Sequence, residues 1–125
     1  MYELMVNSRF SAAHNLRDCG GKCEGLHGHN WRVEVFVRAE ALGKGGMVLD
    51  FRILRQEIEK VLEDLDHHYL NDLPYFQKEE PSSENIARYI YEALEARLRP
   101  YGQTPHKVTA WESEGAGASY LRAEQ

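Results

Sequence analysis

The sequence predicts an α+β fold in which two strands, two helices and two further strands follow one another, with the helices on one face of a four-stranded antiparallel sheet. Apolar and polar residues alternate near both ends of the chain, which is typical of strands, and apolar residues recur at three- and four-residue steps between them, which is typical of helices. At 125 residues the chain has the length of one core, so we expect a single domain over residues 1–125.

The first two strands are predicted from alternation alone. Residues 2–9 place Tyr2, Leu4 and Val6 on one face, and residues 31–38 repeat the pattern. The apolar positions of the second run are Trp31, Val33, Val35 and Val37. We expect a polar loop between the two strands, and it contains the stretch CEGLHGHN at residues 23–30.

Two helices follow a glycine-rich turn at residues 43–46. Asp50 is a suitable N-cap for the first helix. The apolar positions of that helix are Leu54, Ile58, Val61, Leu62 and Leu65. The second helix is expected to begin after Pro81, with Ser82 or Ser83 as its cap. Its apolar positions are Ile86, Ile90, Leu94 and Leu98.

The last two strands are short. Residues 107–113 and 118–122 are predicted to be strands, and EGAG between them indicates a hairpin turn. The complete order is therefore ββααββ.

Composition excludes several classes of function. The chain has 15 basic and 20 acidic residues, a formal charge of −5, which argues against a nucleic-acid partner. No apolar run approaches the roughly 18 residues that cross a bilayer, and the first residues lack the layout of a signal peptide. We therefore expect a cytoplasmic protein without a membrane partner. In that compartment Cys19 and Cys23 favour metal binding or catalysis over a disulfide.

Three histidines indicate a metal site. In an extended segment the side chains of His27 and His29 point to the same side, with Cα atoms about 6.5 Å apart, and Gly28 permits close approach of the backbone. An isolated HGH is more often a pair of solvated loop histidines. His14 follows a predicted strand and can return to the same end of the sheet. Three histidines without a fourth obligatory ligand are typical of a catalytic zinc with an open position.

The thiol of Cys23 lies four residues before His27. It can serve as a fourth zinc ligand, which would close the site, or as a thiolate beside the metal, with its pKa lowered by the cation. The spacing leaves both alternatives open. Cys19 is interpreted as a passive loop thiol.

A carboxylate and an imidazole stand side by side at Asp66 and His67, just past the first helix. Such a pair commonly fixes a histidine tautomer and supports proton transfer. The alternative is a helix C-terminus that carries histidine because the helix dipole favours it.

Glu112 is predicted to share a strand face with Val108 and Ala110. A carboxylate among apolar neighbours needs a partner, because an unpaired buried charge is costly. The partner is either an arginine elsewhere in the fold or a ligand with two adjacent N–H donors.

The motifs RFSAAH, CEGLHGHN, VLDF, LDHHYLND, PSSEN and AWES occur here in one order and spacing. In this respect the sequence resembles the 6-pyruvoyltetrahydropterin synthase family, and most closely its bacterial branch, the 6-carboxy-5,6,7,8-tetrahydropterin synthases of queuosine biosynthesis. The resemblance runs from about residue 10 to residue 112, and it implies the T-fold. It also implies that His14, His27 and His29 bind zinc and that Cys23 is the general base.

The remaining roles follow from the same resemblance. Asp66 and His67 would complete a proton relay, and Glu112 would hold the 2-amino and ring N–H edge of a pterin. Ser82 and Ser83 would border the same pocket. T-fold relatives typically form trimers stacked as a hexamer, so we expect Asp66 and His67 to reach Cys23 of a neighbouring chain.

The implied enzyme is a lyase that acts on the side chain of a pterin. It would convert 7,8-dihydroneopterin triphosphate to 6-carboxytetrahydropterin, acetaldehyde and triphosphate, with Zn²⁺ as its cofactor. Alternatives are the biopterin branch, the folate branch that forms 6-hydroxymethyl-7,8-dihydropterin, and a non-catalytic zinc- or pterin-binding module. Glu24 favours the folate alternative, because ExxHGH resembles the motif of that branch, in which a glutamate replaces the cysteine. An enzyme with both activities would use Cys23 and Glu24 as two bases. Otherwise Glu24 is a solvated loop acid.

Overall fold

The computed structural model describes residues 1–17 and 25–123. Its strands and helices, in chain order, are β1 (Tyr2–His14), β2 (His27–Ala39), α1 (Phe51–Glu63), α2 (Ser83–Leu98), β3 (Pro105–Ser113) and β4 (Ala116–Tyr120). The strands form one antiparallel sheet in the order β1-β2-β3-β4. The predicted ββααββ order is therefore confirmed. None of the helices in the described ranges is long and apolar enough to span a bilayer.

The first two strands are longer than predicted, and the additional residues include the three histidines. The β1–β2 ladder continues from Tyr2↔Ala39 to His14↔His27, so that HGHN begins β2 instead of lying in a loop. Alternation of hydrophobicity ends before the ladder does, because His27, Gly28 and Asn30 interrupt it while their pairing with residues 11–14 continues. At the other end of the chain, β4 covers residues 116–120 instead of 118–122.

Both helices begin at the predicted caps. The Asp50 carboxylate accepts a hydrogen bond from the Arg52 backbone N–H at 2.8 Å, and the Ser82 hydroxyl accepts one from Asn85 N–H at 3.2 Å. The first helix ends at Glu63, earlier than the apolar pattern indicates. Leu65 lies beyond that end but is fully buried, so its apolar character reflects the core and not a further helical turn.

The core lies between the two helices and one face of the sheet. Phe10 of β1 stacks on Trp31 of β2, with ring centroids 5.2 Å apart and planes 6° from parallel. Val108 and Ala110 of β3 are fully buried on the same side. The histidines continue this face beyond Phe10 and Trp31, so the core forms one wall of the site.

The β3–β4 hairpin is held by close packing of Gly117 against Trp111. A Cβ built on Gly117 would lie 2.7 Å from Trp111 Cε3 and 3.1 Å from the Ala110 carbonyl oxygen. The indole N–H donates a hydrogen bond to Glu34, which opposes movement of the ring.

We expect Gly117→Ala to lower the free energy of unfolding by about 1–3 kcal/mol, as overpacking typically does. Chemical denaturation measures this change. Gly115→Ala is the matched control, because nothing lies within 4 Å of a Cβ at that position. Equal stability of the two variants would contradict the packing argument.

Candidate metal centre

Three histidine side chains converge at one end of the sheet. His14 is the last residue of β1 and pairs with His27, the first residue of β2, while His29 lies opposite Ala12. The three imidazole rings have centroids 4.6, 5.3 and 4.7 Å apart. The antiparallel ladder thus brings His14 beside two histidines that lie 13 and 15 positions later in the chain.

His14 is oriented by a hydrogen bond from outside the cluster. Its ring is 2% exposed, and Nδ1 lies 2.7 Å from the carbonyl oxygen of Pro81, directly before α2. A carbonyl oxygen only accepts, so this contact places the proton on Nδ1 and leaves the Nε2 lone pair free. Nε2 is buried and makes no hydrogen bond within the part of the chain that the structure describes. A buried, unsatisfied nitrogen of this kind is expected of a metal ligand.

His27 is held in the same way. Its Nδ1 donates to the carbonyl oxygen of Gly25 at 2.9 Å, so that Nε2 again keeps its lone pair. A backbone carbonyl on Nδ1 is the usual outer partner of a histidine that binds metal through Nε2.

The carboxylate of Glu112 lies against this cluster. Its Oε1 is 3.0 Å from His29 Nε2 and 3.3 Å from His14 Nε2. Glu112 lies on the face of Val108 and Ala110, as predicted, and its side chain is 34% exposed. The partners seen in the described ranges are histidines and not an arginine.

The donor set fits a metal ion. The four residues of the cluster each offer one ligand atom, and these atoms lie within 4.8 Å of one another: His14, His27, His29 and Glu112. Three imidazole nitrogens and one oxygen suit a divalent transition metal. The cluster can therefore hold a metal ion.

Asp66 and His67 lie at the same end of the sheet, beside β1. The Asp66 carboxylate accepts a hydrogen bond from Ser11 N–H at 2.9 Å, and the His67 N–H donates to the Ser11 carbonyl at 2.6 Å. His67 has φ of +59°, which the two bonds to β1 maintain. Its Nε2 is 3.6 Å from Asp66 Oδ2, and its side chain is 82% exposed. The pair is thus anchored near the histidine cluster, with the imidazole open to solvent.

A cavity extends from His67 to His29. Its volume is about 490 Å³, and it is lined from one side by Gly28, His29 and Asn30 and from the other by residues 67–69. A small molecule in this cavity would contact both His29 and His67.

The two serines lie at the start of α2. Ser82 caps the helix, and the Ser83 hydroxyl accepts a hydrogen bond from Trp31 Nε1 at 3.5 Å. Ser83 also lines a cavity of about 190 Å³ together with Glu112 and residues 116–118. The contact of Pro81 with His14 was not predicted from sequence, because it uses a backbone carbonyl, which every type of residue has.

The remaining predicted residues, Cys19, Cys23 and Glu24, lie outside the described residues. Their proposed roles depend on the sequence motif.

Comparison with known proteins gives consistent results. The sequence profile described as 6-pyruvoyl tetrahydropterin synthase matches residues 3–123. A 6-carboxy-5,6,7,8-tetrahydropterin synthase of Synechocystis is 42% identical over 126 aligned positions, which cover 97% of this chain and 94% of that protein.

Solved structures agree with these sequence matches. Caenorhabditis elegans 6-pyruvoyl tetrahydropterin synthase superposes with a TM-score of 0.86 at 30% identity, covering 98% of this chain and 96% of that one. Plasmodium vivax 6-pyruvoyltetrahydropterin synthase, solved with a catalytic glutamate replaced by alanine, gives 0.81 at 26% identity and covers 97% of each chain.

Proposed function

Because the chain belongs to the 6-pyruvoyl tetrahydropterin synthase family, whose T-fold it shares, we propose that it is a zinc-dependent 6-carboxy-5,6,7,8-tetrahydropterin synthase. It would convert 7,8-dihydroneopterin triphosphate and water to 6-carboxytetrahydropterin, acetaldehyde and triphosphate, as a lyase of the queuosine pathway. The observation that carries the proposal is the buried Nε2 of His14, which makes no hydrogen bond in the described ranges. The His14 ring lies beside those of two further histidines, with centroids 4.6 and 5.3 Å away.

The metal ligands in this proposal are His14, His27 and His29. A zinc ion bound there would supply Lewis acidity to the side-chain hydroxyls of the substrate, which makes the neighbouring C–H more acidic. The protein's contribution is orientation, because the carbonyls of Pro81 and Gly25 fix two of the three imidazoles with Nε2 available.

Proton transfer is assigned to Cys23, Asp66 and His67. The Cys23 thiolate would remove the side-chain proton as general base, in accordance with the CxxxHGH motif. His67 would exchange protons with the substrate or the thiol while Asp66 stabilises the charged imidazole. Anchoring of Asp66 to Ser11 supports this role, because it fixes the carboxylate relative to β1.

Recognition of the pterin is assigned to Glu112, with Ser82 and Ser83 at the border of the pocket. A carboxylate can accept two parallel hydrogen bonds from the 2-amino group and the ring N–H. The cavity shared by Ser83 and Glu112 supports this assignment.

Product analysis tests the proposal. Zinc-loaded protein incubated with 7,8-dihydroneopterin triphosphate should release acetaldehyde and form 6-carboxytetrahydropterin in equal amounts. A biopterin-branch enzyme would form 6-pyruvoyltetrahydropterin without acetaldehyde. A non-catalytic zinc- or pterin-binding module would leave the substrate unchanged, and either result would exclude the proposed reaction.

We also propose a hexamer built from two trimers, with active sites shared between chains. β1 lies at one edge of the sheet, and exposed apolar side chains gather at its start, around a cavity of about 360 Å³. They include Tyr2, Met5, Leu42, Met47 and Phe51. Open edges and apolar patches of this kind favour association.

We therefore expect light scattering to give about six times the mass of one chain. Met5→Glu, which places a charge in the apolar patch, should lower the mass and the activity together. Glu59→Lys is the matched control on an exposed position of α1. A wild-type monomer with full activity would exclude shared sites.

A further inference from the structure

On the basis of the proposed function, we infer that Glu112 exchanges between two partners during each catalytic cycle. Without substrate it is the fourth ligand of the metal. When substrate binds, the carboxylate leaves the metal and binds the amine edge of the pterin, which opens the metal for the side-chain hydroxyls.

The distances support the first state. Two ligand atoms bound to one tetrahedral zinc at 2.0–2.1 Å lie about 3.4 Å from each other. Glu112 Oε1 lies 3.0 Å from His29 Nε2 and 3.3 Å from His14 Nε2, close to that separation on both sides. The carboxylate therefore lies at the distance from two of the three histidines that a fourth ligand would have.

Charge favours the same arrangement. Neutral imidazoles leave the charge of a divalent ion uncompensated. His14, which would bind the ion, is almost completely buried. An anionic ligand is stabilised there because the attraction is weakly screened.

The second state requires only a movement of the side chain. Glu112 lies in β3, and its side chain is 34% exposed. It also lines the small cavity with Ser83 and residues 116–118. Rotation about the side-chain bonds can direct the carboxylate into that cavity. The three histidines do not line that cavity, so a carboxylate directed into it has left the metal position and the two states exclude each other.

Exclusion of one state by the other has a thermodynamic consequence. A pterin ring that takes Glu112 from the metal weakens metal binding, and the metal must weaken binding of the ring by the same factor. The natural substrate offsets this loss of affinity, because its side-chain hydroxyls replace the carboxylate on the metal. A pterin without a side chain cannot offset the loss. The site would therefore bind substrates that carry the hydroxylated side chain more tightly than those that lack it.

The first test measures zinc affinity by competition with a chromophoric chelator. Glu112→Gln keeps the shape but removes the charge, and we expect its zinc affinity to fall by tenfold or more, about the lower bound for loss of a group near a metal. Glu114→Gln is the matched control, since Glu114 is exposed in the adjacent turn and outside the cluster; its affinity should equal that of the wild type.

The second test uses the wild type, so it does not depend on the folding of a variant. Binding of unsubstituted pterin is measured by calorimetry with metal-free and zinc-loaded protein. We expect pterin to bind metal-free protein about fivefold or more tightly than zinc-loaded protein, the lower end of typical coupling between sites. Glu112→Gln should remove this difference.

Two results would overturn the inference. Unchanged zinc affinity in Glu112→Gln would show that the carboxylate is not a ligand, and equal or tighter binding of pterin to the zinc-loaded wild type would exclude the exchange. Neither result affects the proposed function, which fails instead if the zinc-loaded wild type releases no acetaldehyde from the full substrate.

Discussion

Replacement of His27 by alanine is expected to abolish zinc binding and turnover together. In the proposed site His27 supplies one of three nitrogen ligands, and alanine leaves its place in the coordination shell without a donor. Purified wild type should contain about one zinc per chain, and His27→Ala less than a tenth of that. Elemental analysis measures the zinc, and acetaldehyde release measures the turnover.

His27 is preferable to His14 for this experiment. His14 is buried and holds the carbonyl before α2, so its loss would also leave a cavity and an unpaired backbone group. His27 is only partly buried, and its Nδ1 bond joins it to Gly25 two residues away.

His68→Ala is the matched control. This exposed histidine makes the same kind of local bond, to the Asp66 carbonyl, but lies outside the metal cluster. The His68→Ala variant should bind as much zinc as the wild type. Full activity of the metal-free wild type would refute the assignment of the metal centre.

The second large effect is expected on the products. Replacement of Cys23 by alanine should reduce formation of 6-carboxytetrahydropterin by about a hundredfold or more, the lower range for loss of a general base. The wild type should also form a minor amount of 6-hydroxymethyl-7,8-dihydropterin through Glu24. That product should persist or increase in Cys23→Ala, while Glu24→Ala should lose it and retain the carboxy product.

This partition has a physical reason. A thiol and a carboxylic acid differ by about four pKa units in model peptides, so the two bases need not remove the same proton. Chromatography of the products of each variant measures the partition. Absence of the hydroxymethyl product in the wild type, with an unchanged rate in Glu24→Ala, would show that Glu24 is a solvated acid.

The fold was predictable because its elements carry periodic apolar residues and recognisable caps. Alternation gave β2 from Trp31 onward, and Asp50 and Ser82 marked the helix starts that the structure has. The start of β2 was missed because His27 and Gly28 have no apolar alternation, although their pairing with β1 continues.

The histidines of the candidate site were predictable from residue type, but their surroundings were not. Contact of Glu112 with His14 and His29 depends on sheet order, which brings β3 beside β2 and directs all three side chains to one end. The hydrogen bond from His14 to Pro81 depends on a backbone carbonyl, which any residue type would provide.

The left-handed backbone of His67 has a consequence for the evolution of this chain. Glycine adopts φ near +59° without strain and asparagine tolerates it better than most residues, so selection for folding alone would favour them at this position. Histidine stays in that conformation at a cost of roughly 1–3 kcal/mol, which the surrounding structure must offset. Stability-based redesign would therefore replace this residue first. At this position the same substitution is expected to raise thermal tolerance and to remove the proton transfer that we propose for His67.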